Sequence, residues 1–146
     1  MKNKFLPFLF FLLLSKIFFF NVHSAEQFNF DVTEIEVLQN GNVIKGIKKG
    51  SIKTDDGIII NADNFVYEKL LNILTADGKV EIIDTKKNFK IYSDNVIYDK
   101  NNEIITTNKN SKAIYEKGKS ITGNTFRLNR NENILNANGK VEILDT

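Results

Sequence analysis

The chain has 146 residues, with no cysteine and no tryptophan. Its single histidine, proline and methionine are His23, Pro7 and Met1, all within the first 25 positions. Each absence excludes something. Without cysteine there is no disulfide framework and no thiolate metal site. Beyond residue 25 the commonest general base and metal ligand, histidine, is missing along with the best nucleophile. Chemistry would rest on Asp, Glu, Lys, Tyr or Ser alone, so we assign no catalytic residue, no metal ligand and no cofactor. An excess of basic charge is missing too. Setting Lys2, Lys4 and Lys16 apart from the 20 basic residues leaves 17 against 18 acidic ones. A nucleic-acid binder needs a basic surface, and none is expected here. The lack of proline favours unbroken strand ladders.

The first 25 residues form a leader. Lys2 and Lys4 give a positive start, and Phe5 to Leu14 is an apolar run. Val22-His23-Ser24 then fits cleavage after Ser24, with Ala25 as the alternative, which is the layout of a secretory signal peptide. An uncleaved anchor is the competing reading. A spanning helix needs about 20 mostly apolar residues, and Ser15 and Lys16 interrupt this run before Ile17–Phe20. Either way, residues 26–146 are expected outside the cytoplasm as one domain.

Those residues repeat. INADNFVYEKLLNILTADGKVEIIDT (60–85) aligns without a gap on ITGNTFRLNRNENILNANGKVEILDT (121–146), with 13 of 26 positions identical. A weaker copy, IYSDNVIYDKNNEIITTN, lies between them at 91–108, and Gly41-Asn42-Val43 reads as the tail of an earlier one. A period of this size marks a repeat architecture. Each unit reads as two strands, rich in Ile, Val, Phe, Tyr and Thr. The first is 58–67. A polar turn at 68–72 leads into 73–76, Asp77-Gly78 supplies a hairpin or turn, and 80–83 follows. No segment after residue 25 carries a sustained helical period.

Strand parity gives a face. Positions 60, 91 and 121 are all Ile; 65, 96 and 126 are Phe, Val and Phe; 67, 98 and 128 are Tyr, Tyr and Leu. The positions between them are mixed. Side chains alternate across a strand, so these residues are expected to line an apolar interior. Asp63-Asn64 is expected to bend or bulge the strand and restore the inward direction between 60 and 65. Asp63-Asn64 and Asp94-Asn95 are read as turn formers rather than metal ligands.

The repeated pattern Ile60-Asn61-Ala62-Asp63, Tyr67, Leu74-Thr75-Ala76-Asp77-Gly78-Lys79-Val80-Glu81-Ile82, seen again from Ile121 to Ile143, resembles the OstA-like domains of lipopolysaccharide transport. The resemblance runs from about residue 28 to the end. It implies an all-β, open V-shaped β-jellyroll of two antiparallel sheets in the periplasm, associated with the outer membrane of a Gram-negative cell. It also implies that lipid A acyl chains travel through the interior, with no chemistry done on them. The partners implied are lipopolysaccharide and other OstA-like proteins joined strand edge to strand edge. Two departures stand out. Lys109-Asn110-Ser111 replaces the Gly-Lys-Val block in the middle copy, which leaves the register between 105 and 118 open. The chain also stops just after a Gly-Lys-Val strand, as an N-terminal piece of a longer barrel protein would, or a short bridge protein with an open edge.

Under this resemblance the trough lining is Ile60, Phe65, Tyr67, Ile73, Val80, Ile82, Ile91, Val96, Tyr98, Ile121, Phe126, Leu128, Val141 and Ile143. Lys45, Lys48, Lys49 and Lys53 are candidates for meeting the phosphates at the trough mouth, against the plain alternative of a solvated face. Ile35–Leu38 and Val141–Leu144 are the candidate docking edges. Two rivals remain open. One is a structural β-solenoid or adhesin-type array with a dry core. The other is a polysaccharide-cleaving enzyme, which would need a convergent acid/base pair. The acids Glu81, Glu142, Asp84 and Asp145 recur with the repeat, which favours a structural role for them.

Overall fold

The computed structural model describes residues 28–116 and 118–145; the leader and its cleavage site lie outside the described residues. The chain is all-β. Its strands are β1 (Asn29–Leu38), β2 (Val43–Lys53), β3 (Ile58–Ala62), β4 (Asn64–Glu68), β5 (Ile73–Asp84), β6 (Phe89–Asp99), β7 (Ile104–Asn108), β8 (Ser111–Glu116), β9 (Lys119–Gly123), β10 (Thr125–Asn129), β11 (Ile134–Asn138) and β12 (Glu142–Asp145). A 3-10 turn, Gln39–Gly41, joins β1 to β2.

These strands build two antiparallel wings. One wing runs from the first half of β1 through the second half of β2, β3, the second half of β5, the first half of β6, β8 and β9 to β12. We call it wing A. Wing B takes the other halves of the long strands and runs through β4, β7 and β10 to β11. The long strands β1, β2, β5 and β6 belong to both wings, so the wings join along a spine where each strand turns a corner. The resemblance implied two antiparallel sheets; instead all twelve strands form one hydrogen-bonded sheet folded along this spine in a jellyroll-type arrangement, with one apolar core in the angle between the wings.

Backbone conformation explains the corners. Two successive left-handed residues occur at Lys48-Lys49 (φ 65° and 70°), Gly78-Lys79 (80° and 50°), Lys109-Asn110 (67° and 48°) and Gly139-Lys140 (71° and 48°). They recur every 30 or 31 residues. In β5 the pair adds one residue relative to β6, because Asp77 faces Asn95 and Val80 faces Ser93; this is a β-bulge. At Gly78 glycine is favoured on two grounds. It removes the left-handed penalty, and a Cβ on Gly78 would come within 2.7 Å of the Asp63 carboxylate. Gly139 meets Asn124 in the same way. The backbone bonds recur as well: Asp63 N–H donates to Gly78 O at 3.0 Å, and Asn124 N–H to Gly139 O at 2.8 Å. The Asp-Asn and Asp-Gly signals of the sequence are therefore two sides of one corner.

Three expectations change. Asp77-Gly78 does not end a hairpin; it bends one continuous strand, β5, from wing B into wing A. Gly41-Asn42-Val43 is not a copy of Gly78-Lys79-Val80. Gly41 (φ 90°) lies in the turn that ends wing B and falls 31 residues before Asn72 (φ 56°), which ends the equivalent turn. The true counterpart of Gly78-Lys79 is Lys48-Lys49, which carries no glycine and so escaped the pattern. The open register at 105–118 resolves into β7 and β8 on either side of the Lys109-Asn110 corner.

Candidate functional site

The interior is lined by rows of directly paired residues. In wing A the row reads Phe30, Ile52, Ile60, Ile82, Ile91, Ala113, Ile121 and Ile143, each opposite the next. In wing B it reads Ile44, Tyr67, Leu74, Tyr98, Ile105, Leu128 and Leu135, while Val37, opposite Ile44 on the edge strand β1, shares the parity but is exposed. Phe65, Ala76 and Val96 form a second row nearer the spine. Directly opposite side chains point to the same face, so the repeated Ile of one wing confronts the repeated aromatic of the other.

Most expected lining residues point into this space. Ile60, Phe65, Tyr67, Val80, Ile82, Ile91, Val96, Tyr98 and Phe126 are buried, while Ile121 and Leu128 are partly buried against the same core. Three differ. Ile73 has the opposite parity and lies on the outer side of wing B; its neighbour Leu74 takes the inner place and is 1% exposed. Val141 falls in the link before β12 and is 45% exposed. Ile143 has the inward parity, opposite Ile121, but sits on an edge strand that no described residue covers, and is 69% exposed.

The four lysines do not gather at a mouth. Lys45 and Lys53 alternate with inward-facing Ile44 and Ile52, so they lie on the outer sides of wings B and A. Lys48 and Lys49 occupy a corner on the spine, away from the free rims, and Lys48 is ion-paired with Glu34. Sequence proximity on one strand misled here, because that strand crosses from wing to wing between them. Asp84 and Glu81 are structural: Asp84 accepts the Lys86 and Lys87 amides at 3.1 and 3.0 Å, and Glu81 accepts from Asn61 and Tyr92.

The rims opposite the spine close differently along their length. Towards β1 the space is filled. Phe28 stands edge-on to Tyr67 (centroids 4.8 Å apart) and Tyr98 (5.9 Å), a geometry worth about 0.5–1.5 kcal/mol per pair beyond area burial. The Tyr67 hydroxyl donates to Asn72 at 2.9 Å. Towards β11 and β12 the repeat has Leu128 where the others have tyrosine, and a cavity of about 320 Å³ opens, lined in part by Phe89, Tyr115, Ile121, Leu128 and Leu135. That is near the lower end of small-molecule sites, which span about 300–1,000 Å³. Phe28, Phe89, Tyr115 and Leu135 were not expected from the sequence. Phe28 precedes the first recognised repeat. The other three sit at strand ends, where parity over a short strand is weakest.

Between the filled and open stretches the rims are tied by charge. Arg130, with its side chain 8% exposed, donates to the Asp56 carboxylate at 2.5 Å and to the Tyr98 hydroxyl at 2.8 Å. It also binds Glu103, and Asp84 lies 3.6 Å from it. Lys100 pairs with Asp56 at 3.0 Å and with Glu103. Tyr98 donates its own proton to Glu103 at 2.7 Å. Burial would raise the Asp56 carboxyl, but hydrogen bonds from Thr54, Arg130 and Lys100 outweigh it and hold the group well below the usual carboxylate range. Burial, then the bond to Glu103, pushes the Tyr98 phenol far above its ordinary value, so it stays protonated. A signal for Arg130 was present: it follows the repeat, 61 residues after Lys69 and 30 after Lys100.

The fold and this interior together define a class, an open β-jellyroll whose described strands end in unpaired edges and which has a partly apolar hollow between its wings. No family model and no curated protein matches the chain. Among solved structures it is similar to LptH, the LptA homologous periplasmic component of the lipopolysaccharide transport device from Pseudomonas aeruginosa. The TM-score is 0.75 at 14% identity, covering 83% of this chain and 96% of that one. At that identity the likeness is one of fold.

Proposed function

We propose that this protein binds the acyl part of lipopolysaccharide between its wings and carries it across the periplasm towards the outer membrane, without making or breaking a bond in it. The observation that carries this reading is the half-open cavity beside Leu128. Its wall is mostly apolar with Asp84, Lys87, Arg130 and Asn133 along one part, it lies where the repeat replaces tyrosine by leucine, and it stands next to free strand edges. The fold shared with a periplasmic lipopolysaccharide transport component supports the choice of ligand. Burying hydrocarbon gives roughly 25 cal/mol per Å², so a chain seated there is held without specific polar recognition.

Transfer along a path needs neighbours. Among the described residues β1 pairs only with β2, β11 only with β10, and β12 only with β9, so the described domain ends in unpaired strand edges. Such edges normally invite association. We read them as the docking surfaces of similar domains, which would continue both wings and the hollow between them. The proposed lining is the inward set named above with Leu74 in place of Ile73. Secretion by the leader is part of the same reading.

Photocrosslinking in cells tests it. A benzophenone amino acid at Leu128 or Phe126, blotted for lipopolysaccharide, should give an adduct, and Arg127, which faces outward, should not. An exported, folded protein with no adduct at either inner site would instead support the structural-repeat reading, which the densely filled stretch around Tyr98 favours.

A further inference from the structure

The charged cluster at the rims touches the cavity only along one wall, and the burial of hydrocarbon does not itself require it. Its members come from separate places. Asp56 lies in the β2–β3 turn and Asp84 at the end of β5, both on the rim of wing A. Lys100 and Glu103 lie in the β6–β7 turn and Arg130 in the β10–β11 turn, all on the rim of wing B. Backbone hydrogen bonds of the rims run along each wing. Thr85 N–H bonds Gly57 O in wing A; Lys100 N–H bonds Asn72 O and Arg130 N–H bonds Glu103 O in wing B. Arg130 to Asp56, Arg130 to Asp84 and Lys100 to Asp56 are therefore side-chain ties that cross from rim to rim. Lys87 adds another, donating to Arg130 O at 3.1 Å.

The position of the ties matters as much as their chemistry. On one side lies the filled interior, and Lys100 and Arg130 stand 5.5 and 5.9 Å from the Tyr98 ring centre. On the other side lies the cavity, of which Arg130 and Lys87 form part of the wall. The cluster marks the boundary. Ion pairs suit a seam that must part, because each group regains water on opening, and exposed pairs weaken as salt screens them. An apolar seam would expose its surface instead.

We propose that this cluster is a latch. While it is shut, an acyl-bearing amphiphile occupies only the cavity beside Leu128; opening the rims at Asp56, Lys100 and Arg130 admits it to the stretch between Ile60 and Tyr67. The inference rests on the lipid-binding reading and adds a control point to it.

The absence of native cysteine makes the test clean. Asp55 and Asn131, exposed neighbours of Asp56 and Arg130 on opposite rims, are changed to cysteine in the full chain and bridged with a short bis-maleimide, which leaves every latch residue in place. A benzophenone amino acid stands at Leu128 or at Tyr67, where it replaces a ring with a ring, and purified lipopolysaccharide is the probe. Bridging should leave the Leu128 adduct unchanged and lower the Tyr67 adduct several-fold; Asp56→Asn, unbridged, should raise the Tyr67 adduct. If Tyr67 reacts equally with the rims bridged and free, or never reacts while Leu128 does, the latch is wrong and lipid binding stands. If neither site reacts in protein of native circular dichroism, lipid binding is wrong and the latch goes with it.

Discussion

The repeat is used twice to opposite ends. In the stretch built on β3 to β6, Tyr67 and Tyr98 reach across the angle, Phe28 fills the space between them, and the interior is packed. In the stretch built on β8 to β12 the same backbone places Leu128 at the tyrosine position. Ile121, Leu128 and Leu135 are then left only partly covered around a cavity. A shared backbone thus sets where a side chain points, but the volume it fills decides whether the space is core or site. One end holds the wings together, and the other keeps apolar surface available.

The comparison can be broken most severely at Tyr98. Tyr98→Ala deletes a ring that is 0% exposed and should cost about 4 kcal/mol, the usual range for emptying a buried aromatic site. Leu128→Ala, at the equivalent place beside the cavity, should cost only about 1 kcal/mol, because much of the space is already empty. Urea midpoints at constant m-value measure both; equal losses would mean that the two ends are packed alike.

Removing the charge between them comes next. Arg130→Met leaves the Asp84 side chain, 4% exposed, without its nearest cation, and should destabilise by about 3 kcal/mol, as breaking a buried ion pair does. The double variant Arg130→Met, Asp84→Asn should recover part of that loss. A double-mutant cycle shows whether the two residues are coupled.

A smaller change sharpens the contrast. Leu128→Tyr makes the third copy resemble the second. It should alter stability by no more than about 1 kcal/mol while sharply lowering lipid crosslinking from Ile121. Undiminished crosslinking would move the site away from this cavity.

The mildest effect concerns pH. The Asp56 carboxyl is depressed in the folded state, so the stability it adds is present above the unfolded carboxylate range, about pH 4, and is lost as pH falls below it. Its surroundings are Thr54, Lys100, Arg130, Glu103 and Tyr98. Asp56→Asn should lower the neutral plateau and flatten this part of the acid limb of the stability–pH curve, so that the two proteins converge at low pH; identical limbs for both proteins would remove Asp56 from the account.

Much of this was legible because strand chemistry is local. Alternation placed Ile60, Ile91, Ile121, Phe65 and Phe126 on one face, and the Asp-Gly and Asn-Gly pairs located two of the four spinal corners. The misses have physical reasons. Lys48-Lys49 makes the same left-handed corner without glycine, so its unit was aligned one turn too early. Ile73 was taken for lining because it is apolar and begins a strand, yet a one-residue step reverses the face.

By itself the sequence determined the fold class, the 30-residue period and the inward row, because backbone preference and side-chain alternation act over a few neighbouring residues. Only the tertiary structure decided the rest. It placed the four lysines on the outer sides and the spine, it brought Asp56 against Arg130 from 74 positions away, and it left one end of a shared core unfilled. These depend on how two wings close over each other, and the distance between their rims is written in no single strand.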